Sequence, residues 1–265
     1  MACEFKVDGR IVYAADGSRE NNPDDPVVIL IHGAGLDRTI WQMQTRNIAF
    51  QGRRVFAVDL PAHGYSEGPV IPTIEEMADW VTQFMKVAEV DCATVMGHSM
   101  GSLIALDLAA RYPRHVEKLI LTGVAEAMPV HPELMEAAKA NEPLAPELIV
   151  YWGLGDKAQT GGHPMPGLWV RGASEVLLKN ADLGVLANDL VACDGYGDAK
   201  ETASKIVCPT YFVFGRGDKM TPVKSGRELA KMIEGAQVSV LERCGHMMMI
   251  ERPNEMFHAL KSAIF

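Results

Sequence analysis

The 265-residue chain has few cysteines, no run of basic residues and no apolar stretch long enough to enter a bilayer. Its five cysteines are an odd, scattered set without a Cys-x-x-Cys pair. That speaks against a disulfide scaffold or a structural zinc site and for reduced thiols in a cytoplasm. The longest apolar runs, such as 27–31 and 148–152, stop far short of the ~18 residues a membrane span needs. Met1-Ala2-Cys3-Glu4-Phe5-Lys6 has no apolar core of a secretory leader, so no export signal is expected. With 34 acidic residues against 25 Lys and Arg, the formal charge of −9 excludes the usual nucleic-acid and anionic-membrane binders. No His-Glu-x-x-His, no His/Cys cluster and no phosphate-cradling Gly-rich loop is present, so neither a metal nor a cofactor is expected.

What is present is the composition of an ordinary globular protein, 48% hydrophobic and 22% charged. Asp8-Gly9 between two short β-rich runs predicts a hairpin, because a type I′ turn needs positive φ at both central residues. The polar, Pro-broken segment 16–26 predicts a surface connection. Buried strands are predicted at 27–31, 54–58, 94–96, 118–122, 210–214 and 238–241. Between them, Ile74, Met77, Ala78, Val81, Phe84 and Met85 repeat at helical spacing behind a Thr73-x-x-Glu76 capping box. Further helices are predicted at 103–111, 223–233 and 253–264, the last with Phe257 and Leu260 facing inward. Strands alternating with helices imply a mostly parallel sheet covered on both faces. Residues 125–203 break that rhythm with several prolines and glycines and no strand. They are read as an insertion with short helices at 131–140, 147–151 and 173–178. This leaves 1–124 and 204–265 as the core domain.

Gly97-His98-Ser99-Met100-Gly101 lies between a predicted strand and a predicted helix. A serine on such a tight turn sits in strained backbone geometry, and its neighbours two residues away must lack side chains. The helix N-terminus aims free N–H groups at any anion forming beside the hydroxyl. A serine hydroxyl needs a base, and the base needs an orienter. His246, in Cys244-Gly245-His246 after the last strand, and Asp218, directly after the strand 210–214, complete the order Ser99…Asp218…His246. Asp218 is also a candidate cap for the helix that follows, a role that does not exclude the first. His32-Gly33-Ala34-Gly35 follows the first buried strand. The Ala34 and Met100 N–H groups are the candidate oxyanion donors, with His32 read as a turn residue. Asp59 and Gly64 are read as shaping their loop, with His63 a candidate for the pocket rim. Trp152, Trp169 and Met247 are the candidate substrate-binding residues; a run such as Met247-Met248-Met249 can line an adaptable pocket but more often packs in the core.

Together these segments, with Asp59-Leu60-Pro61-Ala62-His63-Gly64-Tyr65-Ser66, Gly215-Arg216-Gly217-Asp218 and Glu251-Arg252-Pro253, resemble the α/β-hydrolase superfamily over residues 27–265. The resemblance implies an eight-stranded, mostly parallel sheet flanked by helices, with a mobile helical cap inserted after the sixth strand, where 125–203 falls. Ser99 separates the chain from the dehalogenase and epoxide hydrolase branches, which carry Asp at that position. Cys244-Gly245-His246 and Gly215–Asp218 are similar to segments of enzymes that cleave C–C bonds in ring-fission products. Those enzymes continue the His-Gly turn with Gly-Pro-Gly, where this chain has Leu36-Asp37-Arg38. The expected activity is hydrolysis of a small, largely apolar carboxylic ester through an acyl-enzyme, by a cytoplasmic monomer or homodimer. The alternatives are C–C hydrolysis or cofactor-free peroxidase chemistry on the same triad, or a ligand-binding protein with little turnover.

Overall fold

The computed structural model describes residues 2–19, 22–165, 167–197 and 199–265. Met1, Glu20 and Asn21 of the expected connection, and Pro166 and Asp198 of the expected insertion, lie outside the described residues. Eight strands form the sheet: β1 (Ala2–Val7), β2 (Arg10–Ala15), β3 (Val27–Ile31), β4 (Arg54–Val58), β5 (Ala93–His98), β6 (Val116–Thr122), β7 (Thr210–Gly215) and β8 (Gln237–Leu241). Their order is β1-β2-β4-β3-β5-β6-β7-β8. β1 pairs antiparallel with β2 in register Val7↔Arg10, so the hairpin loop is Asp8-Gly9, with φ of 47° and 82° as its turn type demands. β2 meets β4 antiparallel, and every later pairing is parallel.

Parallel pairing needs crossovers, and four of the helices supply them. They are α1 (Gln42–Phe50), α2 (Ile74–Val87), α3 (Met100–Arg111) and α10 (Val223–Ala230), with α12 (Pro253–Ile264) closing the chain. The pleat explains the unbroken apolar runs: Ile29 and Ile31 of β3 pack with α2 and α3 on one face, while Val28 and Leu30 pack with α1 and α12 on the other. α2 starts at its capping box, where the Thr73 hydroxyl accepts the Glu76 N–H at 3.2 Å.

Between β6 and β7 the described residues hold no strand and six helices. These are α4 (Pro132–Lys139), α5 (Leu144–Gly153), α6 (Asp156–Gln159), α7 (Val170–Lys179), α8 (Val185–Gly195) and α9 (Ala199–Ala203). The predicted short helices correspond to α4, α5 and α7. No periodicity in the sequence marks α1, α6, α8, α9 or the short α11 (Met248–Glu251). α8 is apolar on its exposed side too, at Val191, which blurs the one-sided periodicity that marks a helix. On α12 the inward residues are Met256, Leu260, Ala263 and Ile264. Phe257 is only half buried, edge-on to Phe265, which corrects its expected inward position.

Candidate active site

β5 runs through Gly97 and His98 directly into Ser99, which has φ 53° and ψ −117°, and α3 begins at the next residue. Positive φ at a serine is strained and persists only where the surroundings enforce it. Here they do. A Cβ on Gly97 would lie 2.0 Å from Gly101 O, and one on Gly101 would lie 2.3 Å from Ile31 O and 2.5 Å from His32 O. The Ser99 N–H donates to Thr122 O at 2.9 Å, and the Thr122 hydroxyl donates to Gly97 O at 2.8 Å. Ser102 Oγ accepts the Thr122 N–H at 2.9 Å, which staples the turn to β6. Nothing in the sequence marks Ser102, because a serine in the first helical turn carries no signal of a cross-strand bond.

His246 follows β8 and is 1% exposed. Its Nδ1 lies 2.7 Å from Asp218 Oδ2, and its Nε2 is buried without a hydrogen-bond partner among the described residues. Asp218 Oδ2 also accepts the Thr221 hydroxyl at 2.6 Å, and Oδ1 accepts the N–H groups of Met220 and Thr221 at 2.8 and 2.9 Å. Burial alone would raise the Asp218 pKa. Attraction to the His246 imidazole and its hydrogen bond, with the hydrogen bonds from Thr221, outweigh it and hold the carboxyl below its usual range. Asp218 thus orients the imidazole and caps its own turn with different oxygens. Gly123, at φ 60° after β6, leaves room for the ring: a Cβ there would be 2.9 Å from His246 Cε1.

Two further buried groups hold the imidazole; the sequence motifs contain both residues without marking that role. Glu251 accepts the N–H groups on both sides of His246, from Gly245 at 3.1 Å and Met247 at 3.2 Å, and that of Gly155 at 3.0 Å. Burial pushes the Glu251 pKa up against those three donors. His98 places Nε2 3.0 Å from the His246 carbonyl, with the two rings 4.7 Å apart. Burial, then the neighbouring imidazole, drive the His98 pKa well below the ordinary value, so it stays neutral and donates from Nε2.

The Ala34 and Met100 N–H groups donate to no protein acceptor among the described residues. His32 is a turn residue, as expected: fully buried, it accepts the Leu60 N–H at Nε2 and donates from Nδ1 to Gly33 O at 2.9 Å. Asp59 shapes its loop by pairing with Arg38 and accepting the Tyr65 N–H, and a Cβ on Gly64 would sit 2.3 Å from its Oδ2. His63 is not on the rim of the Ser99 cavity. It is 4% exposed and bonds Asp189 of α8.

Ser99 and His246 open into one cavity of about 380 Å³. Ala34, Met220 and Met247 line it on one side, and Leu134, Ile149, Trp152, Leu190 and Cys193 line it from the helices between β6 and β7. Trp152 lies edge-on to His131 at 5.3 Å. Trp169 is not brought to the cavity: it is 64% exposed and packs its ring over Gly172 of α7, the helix it precedes. An inserted tryptophan reads the same in sequence whether it faces the cleft or solvent. Met248 and Met249 are core residues, and Met247 alone of that run reaches the cavity. Among the described residues no group of three or more His, Cys, Asp or Glu could hold a metal ion, and no helix is long and apolar enough to cross a membrane.

The strained Ser99 turn between β5 and α3, the buried imidazole after the last strand and the carboxylate after the seventh define an α/β-fold hydrolase. The sequence profile of the alpha/beta hydrolase family matches residues 28–260, and the chain belongs to that family. It is 27% identical over 260 residues to a pimeloyl-[acyl-carrier protein] methyl ester esterase of Aromatoleum aromaticum, covering 89% of this chain and 95% of the relative. It is 25% identical over 256 residues to a 2-hydroxy-6-oxo-2,4-heptadienoate hydrolase of Pseudomonas putida, covering 92% and 91%. Among solved structures it superposes on an enol-lactonase from Burkholderia xenovorans with a TM-score of 0.87, at 25% identity over 98% of both chains. It also superposes on a thermophilic esterase with a TM-score of 0.83, at 27% identity over 100% of this chain and 97% of the other.

Proposed function

We propose that the protein hydrolyses small, largely apolar carboxylic esters through an acyl-enzyme on Ser99, His246 and Asp218. The observation that carries the reading is His246 itself. One ring nitrogen is held by Asp218, and the other is buried, without a partner among the described residues, in the same cavity as Ser99. With Asp218 fixing a proton on Nδ1, Nε2 is left as a lone-pair acceptor for the Ser99 proton. Ser99 Oγ attacks the acyl carbonyl, and the oxyanion is taken by the Ala34 and Met100 N–H groups, each such donor being worth on the order of 3 kcal/mol. His246 returns the proton to the leaving alcohol. A water, deprotonated by the same nitrogen, then attacks the acyl carbon, and His246 passes that proton to Ser99 Oγ as the acid leaves.

Helices 125–203 act in this reading as a cap whose Trp152, Leu134, Ile149 and Leu190 favour an apolar acyl or alcohol group. The relatives named as methyl ester esterases support ester chemistry. The dienoate hydrolases among them keep C–C hydrolysis as the second reading. Five free thiols fit a reducing cytoplasm.

The test is a panel of p-nitrophenyl esters of increasing chain length beside a dienoate ring-fission product, with fluorophosphonate labelling read by mass at Ser99. Ester turnover with stoichiometric labelling is expected. Labelling without ester turnover, with turnover of the dienoate, would overturn the ester reading in favour of the second.

A further inference from the structure

Asp189 lies on α8 of the insertion with no solvent exposure, yet its carboxylate reaches the loop that carries Ala34. Oδ2 accepts the Gly35 N–H at 2.9 Å and lies 2.8 Å from His63 Nε2. His63 Nδ1 in turn lies 3.0 Å from Pro61 O. Both neighbours of the ring are acceptors, so His63 carries a proton on each nitrogen and is the counter-ion of Asp189. Asn188 completes the seat, with Nδ2 2.8 Å from Ile71 O and 3.3 Å from Asp189 Oδ1.

The other ionisable groups facing the pair leave its charges matched to each other. His32, its ring 4.7 Å from that of His63, is neutral because Nε2 accepts a backbone N–H. Burial and then the His63 charge push its pKa down to about 4. Asp59 is paired with Arg38, Asp37 is half-buried and turned to Thr39, and the Cys193 thiol is pushed far up by burial. Burial would lower the His63 pKa, but Asp189 and the other acceptors raise it.

A buried ion pair is weak evidence of stabilisation, since its desolvation offsets the Coulomb attraction. What this pair does is local. A trans peptide holds its C=O and N–H antiparallel. Gly33 O accepts the Leu36 N–H at 3.2 Å and the His32 Nδ1–H at 2.9 Å, which turns the Ala34 N–H of that peptide the opposite way. Asp189 fixes the next peptide through Gly35 N–H. Gly35 has φ 64°, and a Cβ there would lie 2.9 Å from Leu186 and 3.3 Å from Leu178, both on inserted helices. Without the carboxylate, the Gly35 peptide would be free to rotate with a buried, unsatisfied N–H.

We propose that Asp189, with His63 as its counter-ion, is a positioning residue through which the insertion holds the oxyanion loop in its donating geometry. The proposal rests on Ala34 as the oxyanion donor, so its test includes a readout independent of turnover. In the full-length protein, Asp189→Ala should raise amide hydrogen exchange in the peptide spanning 33–36. It should also lower kcat on p-nitrophenyl acetate roughly 10–100-fold with KM little changed, the scale of a displaced site group. Affinity for an alkyl trifluoromethyl ketone, whose hemiketal mimics the oxyanion, should fall in step with kcat/KM. Asp189→Asn keeps an acceptor for Gly35 and should recover most of the loss.

The double variant Asp189→Leu with His63→Leu leaves no buried charge unpaired and tolerates folding better. It should behave like Asp189→Ala, and it decides the matter if the alanine variant does not fold. Unchanged exchange at 33–36 would overturn the proposal. So would a loss of kcat that leaves ketone affinity untouched. If the parent neither turns over esters nor labels at Ser99 while exchange still rises in the variant, the clamp stands and the ester reading falls.

Discussion

Asp218→Asn isolates the orienting role of the carboxylate, because the structure decides how the amide must sit. Oδ1 accepts two backbone N–H groups, from Met220 and Thr221, so the amide oxygen belongs there. The NH₂ then occupies the Oδ2 position, 2.7 Å from His246 Nδ1 and 2.6 Å from the Thr221 hydroxyl. Both can turn to accept from it, so all four contacts keep complementary partners and the fold should survive with a shift of about 1 kcal/mol or less. The imidazole, however, is forced to accept at Nδ1 and carry its proton on Nε2. In that tautomer it cannot take the Ser99 proton. Loss of the correct tautomer in serine hydrolases costs on the order of 10⁴ in kcat, which at about 1.4 kcal/mol per decade is roughly 5.5 kcal/mol of barrier. The assay is kcat on p-nitrophenyl acetate beside a thermal melt. A folded variant within tenfold of the parent would refute this reasoning and move the acid elsewhere. Glu126, after β6 and paired with Lys200, would be the first place to look.

Ser99→Ala and His246→Ala should each abolish ester turnover, and the double variant should be little worse than either, because groups acting as a unit are non-additive; losses that multiply would separate the two. Trp152→Ala should shift the preferred ester chain length and raise KM for bulky substrates while sparing p-nitrophenyl acetate, whereas Trp169→Ala should leave the chain-length profile alone. Glu251→Ala should lower both melting temperature and kcat, since it strips the acceptor from three buried N–H groups, two of them flanking His246; the stability cost is roughly 2–4 kcal/mol by chemical denaturation. His63 has a folded pKa raised above its unfolded value, so its contribution is fully present below about pH 6.5 and lost as pH rises through the raised value. A pH series of melts should show that alkaline loss in the parent and a flatter curve in His63→Gln.

Local constraints are legible in the amino-acid sequence itself. The strand runs, the Asp8-Gly9 turn, the capping box at Thr73 and the glycines around Ser99 each follow from steric or hydrogen-bond demands settled within a few residues. The chain order of Ser99, Asp218 and His246 is legible for a related reason: strand–turn–helix context marks where a side chain emerges at the sheet edge. Tertiary structure alone decides what surrounds them. His98 and Asp189, and Glu251 in its bond to Gly155, act on groups far away in sequence, as when Asp189 reaches the Gly35 N–H across 154 positions, and no local pattern encodes such a partner. Trp152 and Trp169 carry the same side chain in the same stretch between β6 and β7, yet one lines the cavity and the other is mostly exposed. Which way each faces depends on how α5 and α7 pack. Only the assembled core can set that, because burial is a property of the whole packing rather than of the residue.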